Sequence, residues 1–143
     1  MKMKFGILCL ILAALITIGT AIAHLSCLYF GPACYAAQMA PPVLIESAKN
    51  GTYLAPLANL FVSSIFIVWG LYALSAAGFI RQLPFLKFCM YAIAAVCVIR
   101  GALPLQLWLR YPERVDDAAF YFGLAWLITG LLFAIGYQLR HSK

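Results

Sequence analysis

Long apolar runs alternate with short polar segments along this chain, a pattern typical of helices that cross a membrane. Four of the runs approach about 20 residues, the length that spans a hydrocarbon core about 30 Å thick at about 1.5 Å per helical residue. We therefore predict an all-α polytopic membrane protein built as a four-transmembrane-helix bundle. Its spans cover about residues 5–24, 57–80, 85–109 and 118–139.

Composition supports the same fold class. The chain is 66% hydrophobic and only 10% charged, whereas soluble domains carry about 25% charged residues. No repeat or linker marks a second domain, so residues 1–143 are predicted to form a single integral membrane domain. The segment 25–56 is the predicted outer loop, and it is apolar enough to lie on the membrane surface. Short helices are expected in it at 33–39 and 43–49, because prolines interrupt any longer one.

Charge placement predicts the orientation. Four spans place the two termini and the segment between the second and third spans on one side, where the charges are all basic: Lys2, Lys4, Arg81, Lys87, Arg140 and Lys143. All four acids fall on the other side, together with three basic residues: Glu46, Glu113, Asp116 and Asp117 with Lys49, Arg110 and Arg114. Cytoplasmic loops carry the excess of Lys and Arg, so we expect both termini to be cytoplasmic. The basic residues on the cytoplasmic side explain the net charge of +6, so no nucleic-acid partner is expected.

The first span also resembles a secretory signal, because Ala21 and Ala23 form a small-residue site before His24. Its apolar run of about 19 residues exceeds the usual signal core of about 7–15 residues. We therefore favour a retained first helix.

Arg100 is the main candidate functional residue. It lies about 20 Å along the third span from Lys87, where a charge costs about 2.5–3.5 kcal/mol. Either its side chain extends outward to the headgroups, or it faces the bundle interior and binds an anion or an acidic group. We expect the interior position, because Gly101 and Pro104 loosen the helix and free carbonyl groups.

Three further residues belong to the outer side. Glu46 is the expected acidic partner of Arg100, being the only acid in the first outer loop. His24 is interpreted as a buried or interfacial hydrogen-bonding residue, and no metal site is expected, since the second histidine, His141, lies on the opposite side. Asp116 and Asp117 are expected to cap the fourth helix.

Cys27 and Cys34 both fall in or beside the first outer loop, where a disulfide is permitted in a bacterial periplasm. On one continuous helix their Cα atoms would be about 10 Å apart, beyond the disulfide limit of about 7 Å. Gly31-Pro32 would have to fold the chain to bring them together. The spacing favours free thiols and leaves a disulfide as the alternative.

Small residues recur within the spans at positions that allow helices to approach closely. They are Gly19 with Ala23, Ala73 with Ala77, and Gly130 with Ala134, with Gly123 one heptad earlier. In lipid, such close packing replaces the hydrophobic effect as the force between helices.

Signatures of catalysis are missing. The sequence has no Gly-rich phosphate loop, serine nucleophile elbow or zinc-protease helix, so no catalytic residue and no cofactor is predicted. The topology is similar to that of quinone-reducing thiol oxidases, but that family has a Cys-x-x-Cys pair in its first outer loop and a second cysteine pair in the next. Neither pair is present here.

The stretch GLYALSAAGFIRQLP, residues 70–84, together with Arg100-Gly101, resembles uncharacterised small four-helix proteins of the bacterial inner membrane. The resemblance implies a multi-pass protein of that membrane and no particular activity. A noncatalytic accessory or assembly subunit of a larger membrane system is the favoured function, with membrane lipids and either a membrane protein or a second copy of the chain as partners. The alternatives are a lipid or small-anion binding or transport protein that uses Arg100, and a periplasm-facing thiol oxidoreductase that uses Cys27 and Cys34.

Overall fold

The computed structural model describes residues 1–113 and 116–142. Arg114 and Lys143, which contributed to the predicted orientation, lie outside this part of the chain. Six helices form in the described residues, which contain no strand: α1 Lys2–Phe30, α2 Pro32–Ala37, α3 Pro42–Lys49, α4 Leu54–Ala77, α5 Leu86–Arg110 and α6 Asp117–His141.

Four of these helices are long and apolar enough to cross a membrane: α1, α4, α5 and α6. The predicted all-α class and the four candidate spans are therefore confirmed, with boundaries that shift by a few residues. The largest shift is in α1, which continues six residues beyond the predicted end at 24. It ends at Phe30 because Gly31 adopts a φ of 70° and Pro32 follows it, and a proline restricts the residue before it.

Two compact units make up the chain. Unit 1 contains Met1–Ala14 and Leu71–Lys143, and unit 2 contains Leu15–Gly70. Helices α1 and α4 contribute residues to each of them. The single membrane domain stays a prediction.

Close helix packing at glycines builds unit 1. A Cβ atom added to Gly101 would lie 2.5 Å from the backbone nitrogen of Leu127 in α6, and one added to Gly130 would lie 2.9 Å from the Ala94 carbonyl oxygen in α5. The start of α1 reaches the end of α6 in the same way, since a Cβ on Gly6 would meet the backbone of Arg140 at 2.8 Å. Three helices therefore meet through their backbones with almost no side chain between them.

The connection between α4 and α5 is fixed by Ser75. Its hydroxyl donates to the carbonyl of Arg81 at 3.1 Å and accepts from the N–H of Leu83 at 2.9 Å. Gly78 ends α4 with a φ of 90°, a conformation that glycine adopts without the steric cost paid by other residues. The turn therefore has side-chain support as well as the backbone freedom it needs.

In unit 2, α1 and α4 are joined by polar side chains. Asn59 donates from Nδ2 to the carbonyl of His24 at 2.7 Å, and Ser63 donates to Oδ1 of Asn59 at 3.2 Å. Asn59 and Ser63 are buried. Interhelical hydrogen bonds of this kind stabilise helix pairs in lipid.

Helices α2 and α3 form where short helices were predicted, and they pack into one cluster with the end of α1. Cys27, Tyr35 and Ala55 are its buried members. Ser47 on α3 links the cluster to the start of α4, because its Oγ accepts from the N–H of Ala55 at 2.9 Å. The segment predicted as the outer loop therefore contains two short helices that are packed against the end of α1 and the start of α4.

Candidate functional site

Arg100 is exposed, so the expected inward position of its side chain is wrong. Its guanidinium carbon lies 5.5 Å from the ring centroid of Trp126 on α6, a cation–π geometry. The direction of the Arg100 side chain follows from the next residue. Gly101 must face α6, because no side chain fits between the two helices at that position. One residue of an α-helix turns about 100°, so Arg100 lies beside that contact rather than within it, and its guanidinium reaches Trp126.

Pro104 changes the backbone beside this side chain. It lies inside α5 and has no N–H, which removes the intrahelical donor for the carbonyl four residues earlier, that of Arg100. Pro104 also faces α6, since its Cβ lies 3.2 Å from the position of a Cβ on Gly123. A guanidinium group and a carbonyl acceptor therefore share one turn of α5, beside an aromatic face from α6. We call Arg100 and Trp126 the Arg100 site.

Glu46 and His24 have different surroundings. Glu46 is exposed on α3, and its pairing with Arg100 stays a prediction. The half-buried His24 ring stacks on Phe66 of α4, with centroids 5.5 Å apart and ring planes 4° apart. His24 therefore contributes its ring and its carbonyl to the packing of α1 on α4.

A disulfide joins Cys27 and Cys34, with an S–S distance of 2.00 Å and Cα atoms 5.1 Å apart. The favoured prediction of free thiols is wrong, because α1 ends between the two residues and the turn at Gly31 halves the separation that a continuous helix would impose.

Asp116 caps α6 as predicted: its carboxylate accepts from the N–H of Ala118 at 3.4 Å.

The surroundings of the disulfide suit a structural role better than thiol exchange. Cys27 is only 1% exposed, whereas Cys34 is half-buried and lies 3.5 Å from Nε2 of Gln38. An external thiolate would therefore attack Cys34 and expel Cys27 as a thiolate inside an apolar cluster. Burial disfavours that anion, and a poor leaving group slows exchange.

A small cavity of about 200 Å³ adjoins the disulfide, with Cys27, Tyr35 and Tyr53 among its lining residues. Tyr35 is 5% exposed, and its hydroxyl has no hydrogen-bond partner within the described residues. A buried hydroxyl without a partner costs about 1–3 kcal/mol.

We expect Tyr35→Phe to stabilise the protein by about 1 kcal/mol, because the substitution removes this cost and keeps the ring. The measurement is the melting temperature of the purified protein in mild detergent. Tyr53→Phe is the matched control, since Tyr53 lines the same cavity but is 82% exposed, and no change is expected from it. A lower melting temperature for Tyr35→Phe would show that the hydroxyl is bonded to a molecule inside the cavity.

Metal ligands do not cluster in the structure. Within residues 1–113 and 116–142, no group of three or more His, Cys, Asp or Glu side chains is placed to hold a metal ion. Cys9 and Cys97 are buried free thiols in unit 1.

Comparison with protein-family models, with characterised proteins and with solved structures finds no match to this chain. Function is therefore inferred from the chain's own residues. Of the candidates taken from the sequence, the structure joins Cys27 to Cys34 and places Arg100 beside Trp126, a residue that sequence analysis missed. The signal was present, because Trp126 lies well inside the fourth span, whereas tryptophans of membrane proteins are enriched at the interfaces.

Proposed function

We propose that this protein is a noncatalytic accessory or assembly subunit of a larger membrane system, and that it contacts its partner through the Arg100 site. We further propose that it resides in the bacterial inner membrane with both termini cytoplasmic. The charge distribution supports that orientation.

The position of Arg100 carries the proposal. About 15 Å of helix separates it from Arg110 at the end of α5, so an outward-pointing guanidinium lies near the middle of the span. A charge there is costly unless it finds partners. Its neighbours on the same helix face, Ile99 and Leu103, are exposed and apolar, which leaves room for a second transmembrane helix against this face.

A partner helix with an acceptor for Arg100 would lower the cost of the charge. Hydrogen bonds to charged groups contribute about 1.5–3 kcal/mol, and planar guanidinium groups suit two acceptors at once. The partner is therefore expected to present a carboxylate or carbonyl oxygen at the same depth, either on another membrane protein or on a second copy of this chain.

The test is photo-crosslinking in cells from a photoreactive residue at Leu103, which is 55% exposed beside Arg100. We expect one discrete crosslinked species, whose yield Arg100→Leu lowers about tenfold, the equivalent of about 1.4 kcal/mol. The control position is Leu131, which is exposed on α6 and turned about 140° from Trp126; it should give no such species.

Equal yields from the two positions, or a yield that Arg100→Leu leaves unchanged, would contradict the proposal. The second candidate function is the binding of a lipid or small anion at Arg100, which its exposed guanidinium also favours. An adduct at Leu103 that carries only lipid mass, and that disappears with Arg100→Leu, would select this second function instead.

A further inference from the structure

An open groove of about 820 Å³ lies in unit 1 at the start of α5, far along that helix from Arg100. Its lining is mostly apolar or aromatic, and it also includes one amide and one cationic side chain: Phe85, Phe88, Tyr91 and Tyr137, with Gln82 and Lys87. Its volume falls within the range of about 300–1,000 Å³ that is usual for small-ligand sites.

Phe85 holds an unusual conformation at this groove. Its φ is 53°, in the left-handed region, and the side chain is 82% exposed. A residue other than glycine in that region costs about 1–3 kcal/mol, and such strain clusters at ligand sites. The strained backbone at Phe85 turns a large apolar ring outward. Contact of this ring with the apolar part of a ligand would explain the strain.

The charge around the groove has one sign. Tyr91 of α5 packs against Tyr137 of α6 with ring centroids 5.6 Å apart, so the start of α5 lies beside the end of α6. The start of α1 reaches the same end, where Gly6 meets Arg140. The described charged residues of unit 1 at this end are all basic: Lys2, Lys4, Arg81, Lys87 and Arg140. Its acids lie after the end of α5 and at the start of α6: Glu113, Asp116 and Asp117.

We propose that this groove is a binding site for an anionic phospholipid. The phosphate lies at Lys87 and Gln82, and the acyl chains follow the aromatic wall of Phe85, Phe88 and Tyr91 into the surrounding membrane. A cation in the lining of an apolar groove at the end of a span matches the two parts of such a lipid. Basic pockets between transmembrane helices bind anionic headgroups in the same way. A soluble phosphate would leave the apolar wall uncovered.

The test is native mass spectrometry of the full chain in mild detergent with equal amounts of dioleoyl-phosphatidylglycerol and dioleoyl-phosphatidylcholine. We expect preferential retention of phosphatidylglycerol, which Lys87→Gln lowers about fivefold, the equivalent of about 1 kcal/mol for one cation near a charged headgroup. Lys4→Gln removes the same charge at the same end outside the groove, and it should lower retention less than about twofold.

A second variant tests the apolar wall. Ala92 lines the groove and is exposed, so Ala92→Phe should fill the groove and lower retention of phosphatidylglycerol while Lys87 is still present. Glycerol 3-phosphate should not compete. Unchanged melting temperatures establish that the variants are folded.

Three results of the lipid comparison would overturn the proposal, and a fourth comes from the Ala92→Phe variant. They are equal retention of the two lipids by the unmodified protein, equal losses from Lys87→Gln and Lys4→Gln, and displacement of phosphatidylglycerol by glycerol 3-phosphate, which would indicate a simple anion site. Full retention by Ala92→Phe would likewise show that the lipid does not lie in the groove. None of these outcomes depends on the partner proposed at the Arg100 site.

Discussion

Replacing Gly101 with alanine is expected to lower the free energy of unfolding by about 3 kcal/mol. The added Cβ would lie 2.5 Å from the Leu127 nitrogen and 2.6 Å from the Gly123 carbonyl oxygen. Both are backbone atoms, so no side-chain rotation relieves the clash, and α5 and α6 must separate. Overpacking in a close-packed interior costs about 1–3 kcal/mol, occasionally more, and a backbone clash belongs at the upper end.

Gly19→Ala on α1 is the matched control for this experiment. Gly19 is exposed, and no heavy atom lies within 4 Å of the position of its added Cβ. Each substitution gains up to about 1 kcal/mol of helix propensity, so the difference between the two variants isolates the clash. The measurement is unfolding in mixed detergent micelles titrated with a denaturing detergent. Equal stabilities for Gly101→Ala and Gly19→Ala would mean that α5 and α6 do not meet at Gly101.

The small residues of the spans show which features of the fold can be predicted from the sequence and which cannot. The spans themselves follow from hydrophobic length, and the seven-residue spacing of Gly123 and Gly130 places them on one face, which is the face that packs on α5. Gly19 and Ala23 have an equally suggestive spacing, yet both are exposed. The difference depends on where another helix passes, and local spacing carries no information about that.

The same limit applies to Arg100. Charge within an apolar run identified it, because an intramembrane charge is rare and costly. The direction of its side chain is set by the next residue, because Gly101 occupies the close contact with α6. Arg100 is turned about 100° from Gly101, so its side chain lies beside that contact, next to Trp126. From the sequence, Gly101 is expected to loosen the helix, whereas in the structure it allows α5 to pack closely on α6.

The end of α1 was predicted from hydropathy, and this prediction was wrong for a physical reason. His24 and Ser26 lower the hydropathy of the chain, but they do not break a helix, and α1 continues to Phe30 before Gly31-Pro32 ends it. Hydropathy reports which residues suit lipid, and helix ends depend on backbone conformation. The error also affected Cys27 and Cys34, because a helix that ends between them permits the disulfide that a continuous helix forbids.

Replacing Cys27 and Cys34 together with serine is expected to destabilise the protein by about 2.5 kcal/mol, the loop-closure term for a crosslink between residues so close in sequence. The disulfide holds α2 against the end of α1, and Cys27 lies in the buried cluster with Tyr35 and Ala55. Loss of the disulfide should therefore loosen the packing of α2 and α3 in this cluster.

The measurement for this last prediction is the melting temperature, combined with maleimide labelling that is assigned peptide by peptide. In the unreduced protein, Cys27 and Cys34 should stay unlabelled, and label should reach them only after reductant, slowly, because attack at Cys34 must expel a buried thiolate. Cys89→Ser is the control, since Cys89 is a half-buried free thiol and its loss opens no crosslink. Labelling of Cys34 without reductant would contradict the disulfide. A melting temperature lowered equally by Cys89→Ser would instead show that the bond contributes no stability beyond that of an ordinary cysteine side chain.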